Sequence, residues 1–180
     1  IVSVIIGVFL GFLCAVWKNS LLDKFSLVFA VFGMSIPSFF SSILVAWIFG
    51  YLLSDLTGLN MTGSLYEIDD YGIGRTVQFK NIILPAVTLG IRPLAVIIQL
   101  SRNSLLEVLS MDFIRTAKAK GLSRFVIIFK HAMWNSLNPV ITAVSGWFAS
   151  LLAGAVFVEY IFAWNGLGKE IVDALNNMDL

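Results

Sequence analysis

The chain has 180 residues, of which 58% are hydrophobic and 13% are charged, and its mean hydropathy is +0.90. This balance excludes the ordinary soluble class and predicts an integral membrane protein embedded in a lipid bilayer. The net charge of +1 gives no global signal for nucleic-acid binding, and the single cysteine excludes an internal disulfide framework.

Four apolar blocks along the chain predict membrane-spanning helices, and the first covers residues 1–17. It is short for a span of about 20 residues and opens at the first residue. We therefore expect the chain to be truncated there, and again at its polar end. Gly7, Gly11 and Ala15 recur every four residues in this block, which predicts a face that a neighbouring helix approaches closely.

The second block covers residues 25–53 and contains no charge, so it is long enough to cross a bilayer with tilt. Because proline lacks an amide hydrogen, Pro37 is expected to bend this block, with neighbouring serine hydroxyls bonding the freed carbonyl. Pro37 is therefore a candidate residue of a translocation pathway or gate. The segment 54–80 that follows is acidic and rich in turn residues, and we expect it to be mostly irregular.

The third and fourth blocks cover residues 82–100 and 137–162. Arg92 and Pro93 interrupt the third block near its middle, where an arginine costs about 2.5–3.5 kcal/mol to insert and normally faces a cavity or a partner. Arg92 is a candidate pathway residue, with snorkelling or pairing with a second subunit as open alternatives. Glu159, near the outer end of the fourth block, is a candidate gate residue that we expect to bond backbone.

The distribution of lysine and arginine predicts the orientation. If the four blocks alternate across the membrane, the connections 18–24 and 102–130 share one side. Their basic residues are Lys18, Lys24, Arg102, Arg115, Lys118, Lys120, Arg124 and Lys130. The opposite side carries Arg75, Lys80 and Lys169. Because cytoplasmic loops are enriched in lysine and arginine, the long connection is predicted to be cytoplasmic.

Residues 102–136 form this connection, and their local signals predict a helix, a tight break and a second helix. Apolar residues at helical spacing continue the helix of the third block through residues 102–120. Gly121 offers the left-handed conformation that ends a helix, and Ser123 can cap a new helix beginning at Arg124. Such a helical pair either docks into a groove of a soluble partner or lies on the anionic inner leaflet and sets topology.

Two motifs in this connection are specific. Residues 112–123 read DFIRTAKAKGLS, and residues 130–139 read KHAMWNSLNP. They resemble the signature loop, called the EAA loop, of the membrane subunits of bacterial ABC importers, and more narrowly its dipeptide, oligopeptide and nickel branch. Residues 115–117 read RTA where the general loop has EAA, as in that branch. Asn165 replaces a usual proline, and Arg92 stands where a small or apolar residue is expected.

The resemblance implies an all-α membrane protein, a single type I ABC importer transmembrane domain over residues 1–180. It implies about four to five transmembrane helices, truncation at both ends and a coupling loop at 102–136. The chain would be a multi-pass protein of the bacterial inner membrane and form half of a translocation pathway for peptides or a related small solute. The implied partners are two cytoplasmic ATPase subunits, a second homologous permease subunit and an extracytoplasmic solute-binding protein. The residues assigned to the ATPase contact are Arg115, Thr116, Ala117, Lys118, Gly121, Leu122 and Ser123.

No catalytic constellation is present in the sequence. Without a phosphate-binding Gly-Lys-Ser/Thr loop the chain is not expected to be an enzyme or to bind a cofactor, and ATP and Mg²⁺ are expected on the partner ATPases. His131 is the only histidine, so a structural contact is favoured over metal binding. The alternative function is an ion-coupled secondary transporter or channel acting without ATPases, a class that usually shows intramembrane carboxylates or broken helices.

Overall fold

The computed structural model describes residues 1–68 and 75–177, without the side chains of residues 67, 68, 75 and 148–154. Up to residue 82 the elements are α1 (Val2–Val16), α2 (Leu21–Ser35), α3 (Ser38–Trp47), a π-helical turn (Ile48–Leu52), α4 (Ser54–Thr57), β1 (Tyr66–Ile68), β2 (Arg75–Val77) and a 3-10 turn (Phe79–Ile82). The later elements are α5 (Ile83–Ser110), α6 (Asp112–Ala119), α7 (Arg124–Val126), a π-helix (Ile127–Ala132), α8 (Met133–Ser136), α9 (Asn138–Gly154), α10 (Val156–Ile161) and α11 (Leu167–Asn176). The predicted all-α class is confirmed, with one small hairpin added.

The chain divides into two compact units. The first unit combines Ile1–Ser35 with Arg92–Phe148, and the second combines Ile36–Ile91 with Ala149–Leu180. Each unit is assembled from segments that are far apart in sequence. The predicted coupling loop lies wholly within the first unit, and the break at Pro37 begins the second.

Close packing of α1 on α5 organises the first unit. A Cβ atom at Gly7 would lie 2.8 Å from Cγ2 of Ile97, and one at Gly11 would lie 2.7 Å from Cβ of Ser101. Neither position has room for a side chain, so the two backbones approach as closely as small residues allow. The predicted glycine face of the first block is confirmed.

A hydrophobic core joins α1 and α5 to the helices of the long connection. Its buried members are Phe12, Ala15, Leu105, Val108, Ile114, Ala117, Ile127 and Ala132. Because Ile114 and Ala117 belong to α6, this core fixes α6 to the end of α1 and to the last turns of α5. The connections 18–24 and 102–130 are therefore neighbours at one end of this unit, as the sequence predicts.

The second unit packs α3 and α10 against the start of α5. The buried residues of this core are Val45, Ala46, Leu84, Val158 and Phe162. The rings of Phe39 and Phe157 add a tilted aromatic pair whose centroids are 6.4 Å apart. The amide of Gly63 donates to the carbonyl of Phe162 at 3.0 Å, which ties the segment after α4 to the end of α10.

The second apolar block is two helices instead of one bent helix. α2 ends at Ser35, and α3 begins after Pro37, whose φ of −59° and ψ of 143° are extended. Proline also restricts the preceding residue to extended conformations, so the break covers two residues. The bend predicted at Pro37 is confirmed in this stronger form. The hydroxyl of Ser35 bonds the carbonyl of Val31 at 2.8 Å.

Three local features depart from the sequence expectations. Within the segment 54–80, the described residues include a small hairpin, in which β1 and β2 pair antiparallel with Tyr66 opposite Val77, an aromatic and β-branched pair that favours a ladder. Its residues 69–74 lie outside the described residues. Pro93 does not interrupt α5, which runs through it. The helix predicted over residues 102–120 is divided at Met111, whose extended backbone caps α6.

By length and composition, one helix of the described residues is able to cross a membrane, the stretch Phe79–Ser110. The pair Leu21–Ser35 and Ser38–Leu52 meets the same criterion only if both helices are counted as one broken span. Val2–Val16 is apolar but shorter. The four to five transmembrane helices therefore stay a prediction, and these three segments are the candidates for them among the described residues.

Candidate coupling site

The basic connection folds into an amphipathic helix, α6, with one buried and one exposed face. Ile114 and Ala117, three residues apart, point into the core of the first unit. Arg115, Thr116 and Lys118 lie on the exposed surface. Residues three or four apart share a helix face, so this alternation holds α6 on the scaffold while its polar side remains accessible.

A sharp turn at Gly121 ends α6, and the sequence predicts it correctly. Gly121 has a φ of +77°, the left-handed region that favours glycine. Its amide donates to the carbonyl of Lys118 at 3.0 Å, and the amide of Leu122 donates to that of Ala117 at 3.3 Å. This pair of bonds is the Schellman arrangement, which satisfies the last carbonyls of a helix. A Cβ at Gly121 would meet no atom within 4 Å, so conformation, not space, requires glycine.

Ser123 starts the next helix, as predicted. Its backbone is extended, with ψ at 151°, and its hydroxyl oxygen accepts from the amide of Val126 at 3.4 Å. α7 then continues into the π-helix and α8. We call residues 112–126 the elbow: α6, the turn at Gly121 and α7 taken together.

Six of the seven residues assigned to the ATPase contact are exposed on the elbow. The exception is Ala117, which is 8% exposed and belongs to the core. Its position indicates a role in anchoring α6 to the scaffold. Arg115 forms an exposed ion pair with Asp112 at 3.1 Å, and the hydroxyl of Thr116 bonds the carbonyl of Asp112 at 3.1 Å.

Polar contacts also fasten the segment that returns from the elbow. The hydroxyl of Ser104 on α5 donates to the carbonyl of Ser136 at 2.8 Å, in a buried setting. The side-chain amide of Asn135 donates to the carbonyl of His131 at 2.7 Å. This contact uses the backbone carbonyl of His131, and a structural role of its imidazole stays a prediction. Among the described residues, no three His, Cys, Asp or Glu side chains are grouped so as to hold a metal ion.

The first unit also contains a buried ion pair that the sequence analysis missed. Two nitrogens of the Arg102 guanidinium face Asp23: Nε donates to Oδ1, and Nη2 donates to Oδ2 at 2.9 Å. Asp23 is 1% exposed and also accepts from the amide of Asn19 at 2.9 Å. The hydroxyl of Ser20 accepts from the amide of Asp23 and caps α2. The only sequence signal was that residues 18–24 and 102–130 were predicted to share one side.

The candidate pathway residue Arg92 lies exposed on α5. Its guanidinium carbon is 5.7 Å from the centroid of the Trp147 ring, a cation–π arrangement. Among the described residues, no carboxylate forms an ion pair with Arg92. Pro37 is exposed at the start of α3. The pathway roles of these residues stay predictions.

Glu159 caps a helix, which confirms that it bonds backbone. Its side chain is buried in the second unit, and Oε2 accepts from the amide of Lys169, in the first turn of α11, at 2.8 Å. A carboxylate at a helix N-terminus meets free amides and the positive end of the helix dipole. A Cβ at Gly166 would lie 2.7 Å from this oxygen, so glycine is needed for the approach. Any role of Glu159 in a gate stays a prediction.

Comparison with known proteins places the chain in a family. A family model described as "Binding-protein-dependent transport system inner membrane component" matches residues 7–180. The dipeptide transport system permease protein DppB of Alkalihalophilus pseudofirmus is 38% identical over 192 residues, covering 99% of this chain and 58% of that protein. The proteins of the same name in Bacillus subtilis and Escherichia coli are 38% identical over 179 residues and 37% identical over 190 residues. The alignment with the Bacillus subtilis protein covers 99% of this chain and 53% of that protein, and the alignment with the Escherichia coli protein covers 97% and 56%. The chain spans about half the length of the curated relatives that it matches.

Proposed function

The chain belongs to the family of inner membrane components of binding-protein-dependent transport systems, and from this premise we propose that it works as a permease subunit of an ATP-driven importer. It forms half of the translocation pathway and carries the surface on which an ATPase subunit acts. The elbow is the single observation that carries this proposal. It combines an exposed cationic face with a buried face fixed to the ends of α1 and α5.

The architecture of the elbow suits the transmission of force. Ile114 and Ala117 anchor α6 in the core, and Ser104 anchors the returning segment through the carbonyl of Ser136. Because packed interfaces move as rigid bodies, a push on the exposed face of α6 displaces α5 instead of bending a loop. Arg115 and Lys118 provide the positive charge that steers an acidic partner surface.

The proposed partners are two cytoplasmic ATPase subunits, a second homologous permease subunit and an extracytoplasmic solute-binding protein. ATP and Mg²⁺ bind on the ATPase subunits, and this chain performs no hydrolysis itself. The proposed location is the bacterial inner membrane, crossed several times, with the elbow in the cytoplasm. The proposed solute is a dipeptide or a related small peptide, because the similar proteins are described as dipeptide permeases.

The competing function, an ion-coupled transporter or channel without ATPases, has less support. Such proteins use ionisable carboxylates that are free to bind a proton or an ion. The two buried carboxylates of the described residues are both engaged. Asp23 pairs with Arg102, and Glu159 caps α11.

Site-directed cross-linking tests the proposal in the full-length transporter. Thr116→Cys places a thiol on the exposed face of α6, and Asp55→Cys places one on α4, predicted to face the other side of the membrane. With a short thiol-reactive cross-linker, Thr116→Cys is expected to link to the ATPase subunit, with a yield that changes when ATP is added. Asp55→Cys is expected to give no such product. Linkage of neither variant to an ATPase, together with unimpaired transport, would support the ion-coupled alternative.

A further inference from the structure

The first unit contains an open cavity beside α1 that the proposed function does not use. Its volume is about 590 Å³, and it lies between α1 and the segment 128–137. Its lining residues include Val8, Phe9, Leu13, Phe129, Met133 and Trp134. All of its lining side chains are apolar or aromatic. We call this cavity the apolar groove.

A second cavity adjoins the apolar groove at the elbow. It has a volume of about 480 Å³ and shares Val16 and Ile128 with the groove, so the two form one continuous surface. In contrast to the groove, it is lined by two cations, Lys118 and Arg124. We call it the basic pocket. The combined surface is apolar along its length and positively charged at one end.

The position of Arg124 places the basic pocket at the depth of lipid headgroups. Its Nη2 atom lies 3.4 Å from the carbonyl oxygen of Val16, the last residue of α1. Trp17 follows directly, is 56% exposed and precedes Lys18. An exposed tryptophan beside a lysine at the end of an apolar helix is typical of the membrane–water interface. Arg124 is therefore at this interface on the predicted cytoplasmic side.

The charges of the basic pocket lack an acidic partner within the described residues. The ion pairs among the described residues join Asp23 with Arg102 and Asp112 with Arg115. Neither Lys118 nor Arg124 takes part in one. Cations beside an apolar groove at headgroup depth match the chemistry of an anionic phospholipid, in which a phosphate is joined to acyl chains.

We propose that the combined surface binds an anionic phospholipid of the cytoplasmic leaflet. The phosphate lies between Lys118 and Arg124, and one acyl chain occupies the apolar groove along α1. Lys118 belongs to both surfaces, whereas Arg124 lies outside the proposed ATPase contact, so Arg124 is the residue to test.

The test is native mass spectrometry of the full-length transporter exchanged into equal amounts of dioleoyl phosphatidylglycerol and dioleoyl phosphatidylethanolamine. The first lipid is anionic, and the second is zwitterionic with the same chains. We expect preferential retention of phosphatidylglycerol. Because one cation near an anionic membrane surface contributes about 1 kcal/mol, Arg124→Gln should lower that preference about fivefold. The matched control is Lys130→Gln, which removes a charge nearby without lining either cavity.

A second pair of variants tests the acyl chain. Val8→Trp fills the apolar groove, whereas Val2→Trp adds the same ring on an exposed part of α1 outside it. We expect Val8→Trp alone to reduce lipid retention, and inorganic phosphate to compete poorly with the lipid. Equal retention of the two lipids, or an unchanged preference in Arg124→Gln, would overturn the proposal. So would a photo-cross-linker at Phe9 that labels a protein helix instead of a lipid.

Discussion

Arg102 and Asp23 form a bidentate ion pair that joins the last turns of α5 to the beginning of α2. The Asp23 carboxylate is almost completely buried and also accepts from the amide of Asn19. The Arg102 fork donates through two nitrogens, the geometry in which arginine binds a carboxylate most strongly. The pair lies in the same unit as the elbow, at the point where α5 leaves the third apolar block.

Removal of one member of this pair should destabilise the protein strongly. Arg102→Ala leaves the Asp23 carboxylate buried without its counter-charge, which typically costs about 3–5 kcal/mol. In the double variant Asp23→Asn with Arg102→Gln, both charges are removed. We expect the double variant to lose less stability than the sum of the losses in the single variants Asp23→Asn and Arg102→Gln, since the two side chains interact directly. Thermal unfolding of the full-length protein in detergent measures Arg102→Ala, the two single variants and the double variant.

The exposed pair of Asp112 with Arg115 provides the control for this experiment. Both side chains are largely in solvent, so Arg115→Ala should leave the unfolding temperature unchanged. If Arg102→Ala unfolds at the same temperature as Arg115→Ala, the buried pair does not stabilise the fold. Additive effects of the two charge-removing substitutions would show that Asp23 and Arg102 act independently.

Substitutions at Gly121 should rank by their tolerance of a positive φ. No neighbouring atom would meet a Cβ there, so the left-handed backbone is the only obstacle. Asparagine tolerates this region better than alanine, and valine tolerates it least. We expect coupling, measured as solute transported per ATP hydrolysed, to decline from Gly121→Asn through Gly121→Ala to Gly121→Val. Membrane levels should stay similar, because the elbow lies outside the apolar blocks.

Equal coupling in Gly121→Asn and Gly121→Val would contradict this ranking. It would mean that the elbow tolerates a different turn or that its shape does not affect transport. The same two substitutions at Gly58, to asparagine and to valine, provide the control. Gly58 also has a positive φ, +66°, and open space around a Cβ. Gly58 ends α4, outside the elbow. Valine at Gly58 should therefore strain the backbone without changing the coupling ratio.

The features predicted correctly from the sequence are those fixed by neighbouring residues. Gly121 ends α6 and Ser123 begins α7 because backbone conformation and capping depend on a few adjacent residues. The contacts that were missed join distant segments. Asp23 and Arg102 are 79 positions apart, and their pairing depends on how α2 meets α5. The break at Met111 was missed for another reason. The helical spacing of the apolar residues around Met111 is the same whether they form one continuous helix or two successive helices.

Arg92 should affect uptake if it lines the translocation pathway, as the sequence predicts. Its guanidinium lies over the Trp147 ring, with no carboxylate paired to it among the described residues. A hydrogen bond to a charged group contributes about 1.5–3 kcal/mol, so loss of a contact with the solute's carboxylate should lower uptake at least about tenfold. Arg92→Leu is therefore expected to impair uptake of a dipeptide more than uptake of its C-terminal amide.

Trp147→Phe is the companion variant because it keeps an aromatic face beneath the guanidinium. We expect it to retain most of the uptake. An Arg92→Leu protein that reaches the membrane and transports both peptides normally would exclude a pathway role. Equal impairment of the two peptides would instead indicate that Arg92 contacts protein, such as a second subunit.

Glu159 is predicted to hold α11 in place, and its replacement should loosen that helix selectively. The carboxylate accepts from the amide of Lys169 at the helix N-terminus, and burial denies that amide a water molecule as substitute. Glu159→Ala should therefore cost about 1–3 kcal/mol of local stability, with Glu159→Gln in between because its amide oxygen still accepts. Hydrogen exchange of the Leu167–Asn176 amides measures the loss directly.

The exposed Glu170 lies in the same first turn and is also near the positive end of the dipole. Glu170→Gln changes the charge of that turn but leaves the cap in place. Faster exchange in Glu170→Gln as well as in the Glu159 variants would assign the effect to charge. Faster exchange in the two Glu159 variants alone, largest in Glu159→Ala, would assign it to the cap.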